Sequence, residues 1–157
     1  MIENSIRLFE QFFRMMRDIV GEFTDESWFA SGHKLTRPPL LAYHILKSNK
    51  YYTADSGEFI RTDGTVLAAD YQATESDRLS RSEILANLER HESSLKGWIR
   101  GTELGASNEK YPWTGKDMES VLLFIVRHGY FHLGEMSALL NETLAGDASD
   151  NFADNIY

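Results

Sequence analysis

The chain has no cysteine among its 157 residues. That excludes a disulfide framework and any thiolate metal site, so a metal here would have to sit on His, Asp or Glu. There is no run of eighteen apolar residues, so no membrane-spanning helix is expected. The N-terminus, MIENSIRLFE, has early acids and lacks an apolar stretch followed by a small-residue cleavage site, so a secretory leader is not expected either. Positive charge is in short supply. Sixteen Lys and Arg stand against 24 Asp and Glu, a net charge of −8. With no Lys/Arg stripe, such a chain repels phosphate backbones, which disfavours nucleic acid as a partner. These absences together lead us to expect a cytoplasmic protein. Internal repeats, low-complexity blocks and charge runs are also missing.

What is present is enough apolar residue, 42% of the chain, to build one core in one domain spanning residues 1–157. The most informative stretch is Asp117 to Leu140, DMESVLLFIVRHGYFHLGEMSALL. Met118, Val121, Ile125, His128, His132, Met136 and Leu139 recur at spacings of three and four and so share one helical face. That face should be buried, yet it carries two imidazoles one turn apart. An H-x-x-x-H pair is the spacing at which two helical side chains can hold one metal ion.

Four helices are expected, at about 4–21, 38–52, 81–100 and 116–143. The first has a stripe of Phe9, Phe12, Phe13, Met16, Ile19, Val20 and Phe23, with Arg7, Glu10, Arg14 and Arg17 off it. Trp28 and Phe29 should tuck onto the bundle from the following connection, where His33 lies in a polar, Gly-flanked loop and reads as solvated. Pro38 and Pro39 open the second helix, since proline is tolerated where its missing N–H would have had no partner. Leu40, Leu41, His44, Ile45 and Ser48 fall on one face of it, which puts a titratable group among Leu and Ile.

A long polar linker, Thr53 to Ser80, follows. Asp63-Gly64, flanked by Phe59-Ile60 and Val66-Leu67, reads as a small hairpin turn or a packed irregular loop. Ser80 and Glu83 match a capping box for the third helix, whose stripe is Ile84, Leu85, Leu88, Leu95, Trp98 and Ile99. His91 interrupts that stripe. It is either a further imidazole near the core or a stripe-edge histidine hydrogen-bonded to a neighbour. Tyr111-Pro112-Trp113 could line a pocket mouth or plug the bundle end. Thr114, three residues before Asp117, offers a capping-box-like start for the last helix. The acidic tail, 145–157, should fray unless Phe152 and Tyr157 dock.

His44, His128 and His132 each fall on the inward stripe of a helix. In a bundle, metal sites form where facing helices project ligands inward. Three nitrogens would leave a coordination position for water or substrate, the pattern of catalytic zinc, and the set suits Zn²⁺, Ni²⁺ or Fe²⁺ alike. Glu135 is placed to accept from an imidazole N–H or to act as a general base; alternatively it is a solvated glutamate. Gly129 follows His128, so the motif is not the H-E-x-x-H of metalloproteases.

RPPLLAYHILKSNKYY followed some eighty residues later by HGYFHLGEMSALL resembles the DinB-like superfamily of small metal-binding proteins. The resemblance implies an all-α four-helix bundle with long crossover connections. It implies a metal triad of one His on the second helix and two, four apart, on the last, which map onto His44, His128 and His132. It further implies a homodimer and, among characterised relatives, transfer or isomerisation reactions that use low-molecular-weight thiols. Two functions are therefore expected as alternatives. One is a metal-dependent enzyme, a thiol S-transferase or hydrolase acting on a small-molecule substrate. The other is a non-catalytic, stress-related binding or dimerisation module. Three buried histidines with no metal at all is the third reading of the same residues.

Overall fold

The computed structural model describes residues 2–143 apart from 31, 34–35, 54–57, 69 and 75–77. The described residues form five α-helices: α1 (Ile2–Glu22), α2 (Asp25–Ala30), α3 (Pro38–Thr53), α4 (Arg81–Gly101) and α5 (Met118–Thr143). Four of these are the expected long helices. The fifth, α2, is a single short turn inside what the sequence suggested was only a connection. Thr24 and Ser27 start it by exchanging backbone-to-hydroxyl bonds of 3.0 and 3.1 Å. It serves to deliver Trp28, which is fully buried and donates its indole N–H to the Leu79 carbonyl at 2.8 Å. The tail, with Phe152 and Tyr157, lies outside the described residues.

The aromatic stripe of α1 is the spine of the core: Phe9, Phe12, Phe13, Met16, Ile19 and Val20 are all buried, joined by Ile6 and Met15. Each such side chain removed from water stabilises the fold by roughly 1.5–3 kcal/mol before entropy is counted. α1 packs on α4 and α5, and α3 packs on the same two helices. The four long helices therefore form a ring in the order α1, α4, α3, α5. Of the helices consecutive in the chain, α3 and α4 pack directly on one another despite the long linker between them, whereas α1 with α3 and α4 with α5 are not principal packing pairs. No helix of the described residues is long and apolar enough to cross a membrane.

The connections are built by local chemistry. Ile60 and Val66 form an antiparallel bridge, closed at its tip by Gly64 at φ 83°, so the Asp63-Gly64 segment is a hairpin turn. Asn87 of α4 pins that hairpin, accepting from Ile60 N and donating to Ile60 O, both at 2.8 Å. At the start of α4, Ser80 and Glu83 complete the capping box. The start of α5 differs from the expectation. Asp117 accepts from the Ser120 backbone N–H at 2.9 Å, while Thr114 turns its hydroxyl to the Tyr111 carbonyl at 2.8 Å. The carboxylate is the stronger acceptor and stands next to the helix, so it takes the capping role.

Candidate metal centre

The buried stripe of α5 is Val121, Leu122, Ile125, Gly129, Leu133, Met136 and Leu140. His128 and His132 sit immediately beside it, half-buried, one position away from the central line the spacing suggested. The reason is Gly129. A Cβ there would stand 2.6 Å from the Phe12 ring, so the glycine lets α5 lie close on α1 and occupies the innermost register itself. His44 departs further from expectation: it is exposed, on the outer margin of an α3 whose Leu40, Leu41, Ala42, Tyr43, Ile45 and Leu46 are all buried.

At that shared margin the three imidazoles converge. His44 Nε2 lies 3.1 Å from His128 Nε2, and His128 Nε2 lies 3.2 Å from His132 Nε2. One ligand atom from each falls within 4.8 Å of the others, and this group of three can hold a metal ion. Ligands held at about 2.1 Å in tetrahedral geometry stand about 3.4 Å apart, close to what is seen.

The polarity of the cluster supports the same fit. Glu135, one turn beyond His132, places Oε2 2.6 Å from His132 Nδ1. A carboxylate accepts, so Nδ1 carries the proton and Nε2 presents a lone pair to the cluster. His128 Nε2 then faces two neighbours with at most one proton to offer. Hydrogen bonding among neutral rings thus leaves lone pairs pointing at one another, and a divalent cation would satisfy all three.

Two of the rings, His128 and His44, are also held in the ligand form. Burial, followed by the nearby His132 and His44, pushes His128 down to about 4. His44 is lowered as well, by burial of its inward end and by His132, with Glu135 opposing and Lys47 assisting. Phe124 stacks on His128 with ring centroids 5.9 Å apart at 13°, and Phe131 meets His132 edge-on at 5.1 Å.

A cleft of about 320 Å³ opens beside the cluster. Leu40, Leu41, Tyr43 and Ala73 supply apolar wall, His44, His132 and Glu135 stand at one side, and Lys47 brings the cleft's cation. Lys47 lies three residues after His44 on the same helical face, so sequence spacing could have found it; Gln72 and Ala73 come from the linker and carried no signal.

The other residues singled out in the sequence are not among those that line this cleft. Tyr111 is buried, its hydroxyl donates to the Tyr51 carbonyl, and it lines a separate cleft of about 340 Å³ with Tyr52, Trp98 and Met118. Trp113 is 59% exposed and donates its indole N–H to the Tyr52 hydroxyl at 3.3 Å. His91 is not a hydrogen-bonded stripe-edge residue. It is buried at 2% exposure, neither ring nitrogen has a hydrogen-bond partner among the described residues, and it lines a separate cavity. His33 is exposed, in line with a solvated loop.

Searches against protein-family models, curated proteins and solved structures find no match for the chain.

Proposed function

We propose that the chain is a DinB-like metal-binding protein that works as a metal-dependent enzyme, a thiol S-transferase or hydrolase, on a small-molecule substrate. The observation that carries this reading is a three-histidine group two of whose members, His44 and His132, line a cleft of substrate size. The distribution of the ligands, one on the second long helix and a pair on the last, supports the family assignment.

His44, His128 and His132 would hold a divalent ion of the zinc, nickel or iron type. When bound, such an ion lowers the pKa of a coordinated thiol or water and so supplies a nucleophile at neutral pH. The chain's own residues do the rest. Glu135 fixes the tautomer and orientation of His132 and is a positioning residue; its commitment to Nδ1 argues against a general-base role. Leu40, Leu41 and Ala73 shield one side of the cleft from water, and Lys47 favours a substrate with an anionic group.

The module reading has one observation of its own. Leu123 and Phe131, two turns apart on α5, are 59% and 63% exposed, a face suited to pairing two copies of the chain. A homodimer is compatible with either function.

The deciding experiment is elemental analysis of protein purified without a metal-affinity tag, wild type beside His128→Ala. One ion per chain in the wild type, lost in the variant, establishes the triad. Turnover of electrophiles with added low-molecular-weight thiols, or of hydrolysable esters and amides, then separates enzyme from module. No metal in either protein, and no rise in thermal stability on adding Zn²⁺ or Ni²⁺, overturns the metal reading.

A further inference from the structure

His91 belongs to a second, smaller site. Its cavity lies between α3, α4 and the Phe59–Leu67 hairpin and is lined by Tyr43, Leu46, Lys47, Lys50, Phe59, Leu67, Ala68 and His91. It shares Tyr43 and Lys47 with the metal cleft as a common wall, but its other lining residues are its own. No carboxylate is among those lining residues. Lys47 turns its ammonium to the Tyr71 carbonyl, so the wall cation acting on the imidazole is Lys50, and Arg90 adds its charge to that of Lys50.

The imidazole itself needs a partner. Both nitrogens of His91 are buried without one among the described residues, and an unsatisfied buried polar atom weakens the fold. The free space is about 20 Å³, room for roughly one small particle, and it opens partly to solvent. A water would engage the imidazole but leave the surrounding positive charge uncompensated. A monatomic anion accepts the ring N–H and is drawn by Lys50. The small free space favours a monatomic anion over tetrahedral oxyanions and organic carboxylates.

We infer that the cavity around His91, bordered by Lys47 and Lys50, is a binding site for one small inorganic anion of the halide class.

The test uses bromide on the intact chain. Thermal unfolding is followed in sodium bromide and in sodium gluconate at matched ionic strength, gluconate being too large to enter. The wild-type midpoint should rise with bromide and saturate. The increment should vanish in Lys50→Met, which keeps the side-chain stem and removes the charge, and should fall in His91→Leu. Crystals grown in bromide should show an anomalous peak within hydrogen-bonding reach of the His91 ring. Equal midpoints in the two salts, an undiminished increment in Lys50→Met, or water alone at that position in the crystal each overturn the site. Lys50 and His91 lie outside the three-histidine group, so metal content should be unchanged in both variants.

Discussion

His132 and Glu135 form a fixed pair on α5, Nδ1 to Oε2 at 2.6 Å, and that pair decides which nitrogen of His132 faces the other two imidazoles. Removing the carboxylate frees the ring to change tautomer and to rotate. Glu135→Ala should therefore weaken metal affinity by about 10–100-fold, with Glu135→Gln falling between it and the wild type because an amide oxygen still accepts. Glu135 is only half-buried, so stability without metal should change little. Competition against a chromophoric chelator measures the affinity. An unchanged dissociation constant in Glu135→Ala would mean that His132 is oriented by packing alone.

Gly129 makes a prediction about the same helix from packing rather than charge. A methyl group there would meet Phe12 Cε2 at 2.6 Å and Cζ at 2.8 Å. Phe12 cannot easily give way, being fully packed and in edge contact with Phe9, Phe13 and Tyr130. Overpacking of this kind costs roughly 1–3 kcal/mol, against about 1 kcal/mol gained from the better helix propensity of alanine. Gly129→Ala should be net destabilising by up to about 2 kcal/mol in urea unfolding. It should also reduce metal affinity, because any retreat of α5 from α1 carries His128 with it. A stabilised variant would show that the ring has room to swing aside.

The sequence made the helices and the three-histidine group legible because both follow from spacing. Apolar residues every three or four positions locate α1, α3, α4 and α5, and two histidines four apart must face one way. The depth of those histidines was not legible. Periodicity placed His128 and His132 on the central stripe, whereas Gly129 holds that place, since a glycine contributes no hydrophobicity to the pattern yet permits the closest approach. His44 looked buried because Leu and Ile flank it, but flanking residues on a helix point elsewhere. The hairpin at Asp63-Gly64 followed from turn chemistry. The burial of His91 did not, because an imidazole with no partner is what polar-satisfaction arguments advise against.

The Ser80–Glu83 pair offers a test of local against tertiary stabilisation. Ser80 accepts from Glu83 N at 3.2 Å, and Glu83 accepts from Ser80 N at 2.8 Å and from Arg61 Nε at 3.0 Å. Burial alone would raise the Glu83 carboxyl, but the bonds from Ser80 and Arg61 outweigh it and hold the carboxyl below its usual range. Ser80→Ala removes one cap and should cost about 1 kcal/mol. Glu83→Ala also strands the part-buried Ser80 backbone donor and releases the hairpin's Arg61, and should cost about 2–3 kcal/mol. The double variant should lose less than the sum, since both act on the same helix start. Denaturant midpoints of the three variants supply the comparison, and strict additivity would mean the box does not act as a unit.

His91 gives the chain a pH dependence whose direction can be worked out. Burial, with Lys50 and Arg90 adding to it, pushes the imidazole down to about 4 from an ordinary value near 6.5. Above pH 6.5 the ring is neutral in both folded and unfolded chains, and its full contribution is present. Between 6.5 and 4 the unfolded chain takes up a proton that the folded chain refuses, so stability falls as pH falls. From pH 7 to pH 5 the loss attributable to this one group is about 2 kcal/mol. His128 titrates in the same direction, so the measurement is a difference: urea unfolding at both pH values for the wild type and for His91→Leu. It should be run in gluconate, because an anion bound beside the ring would stabilise its protonated form and flatten the slope. The variant should lose less stability than the wild type on acidification whatever its absolute stability. Equal losses in the two proteins would mean that His91 gains a proton as readily folded as unfolded, and that water or an acid reaches it.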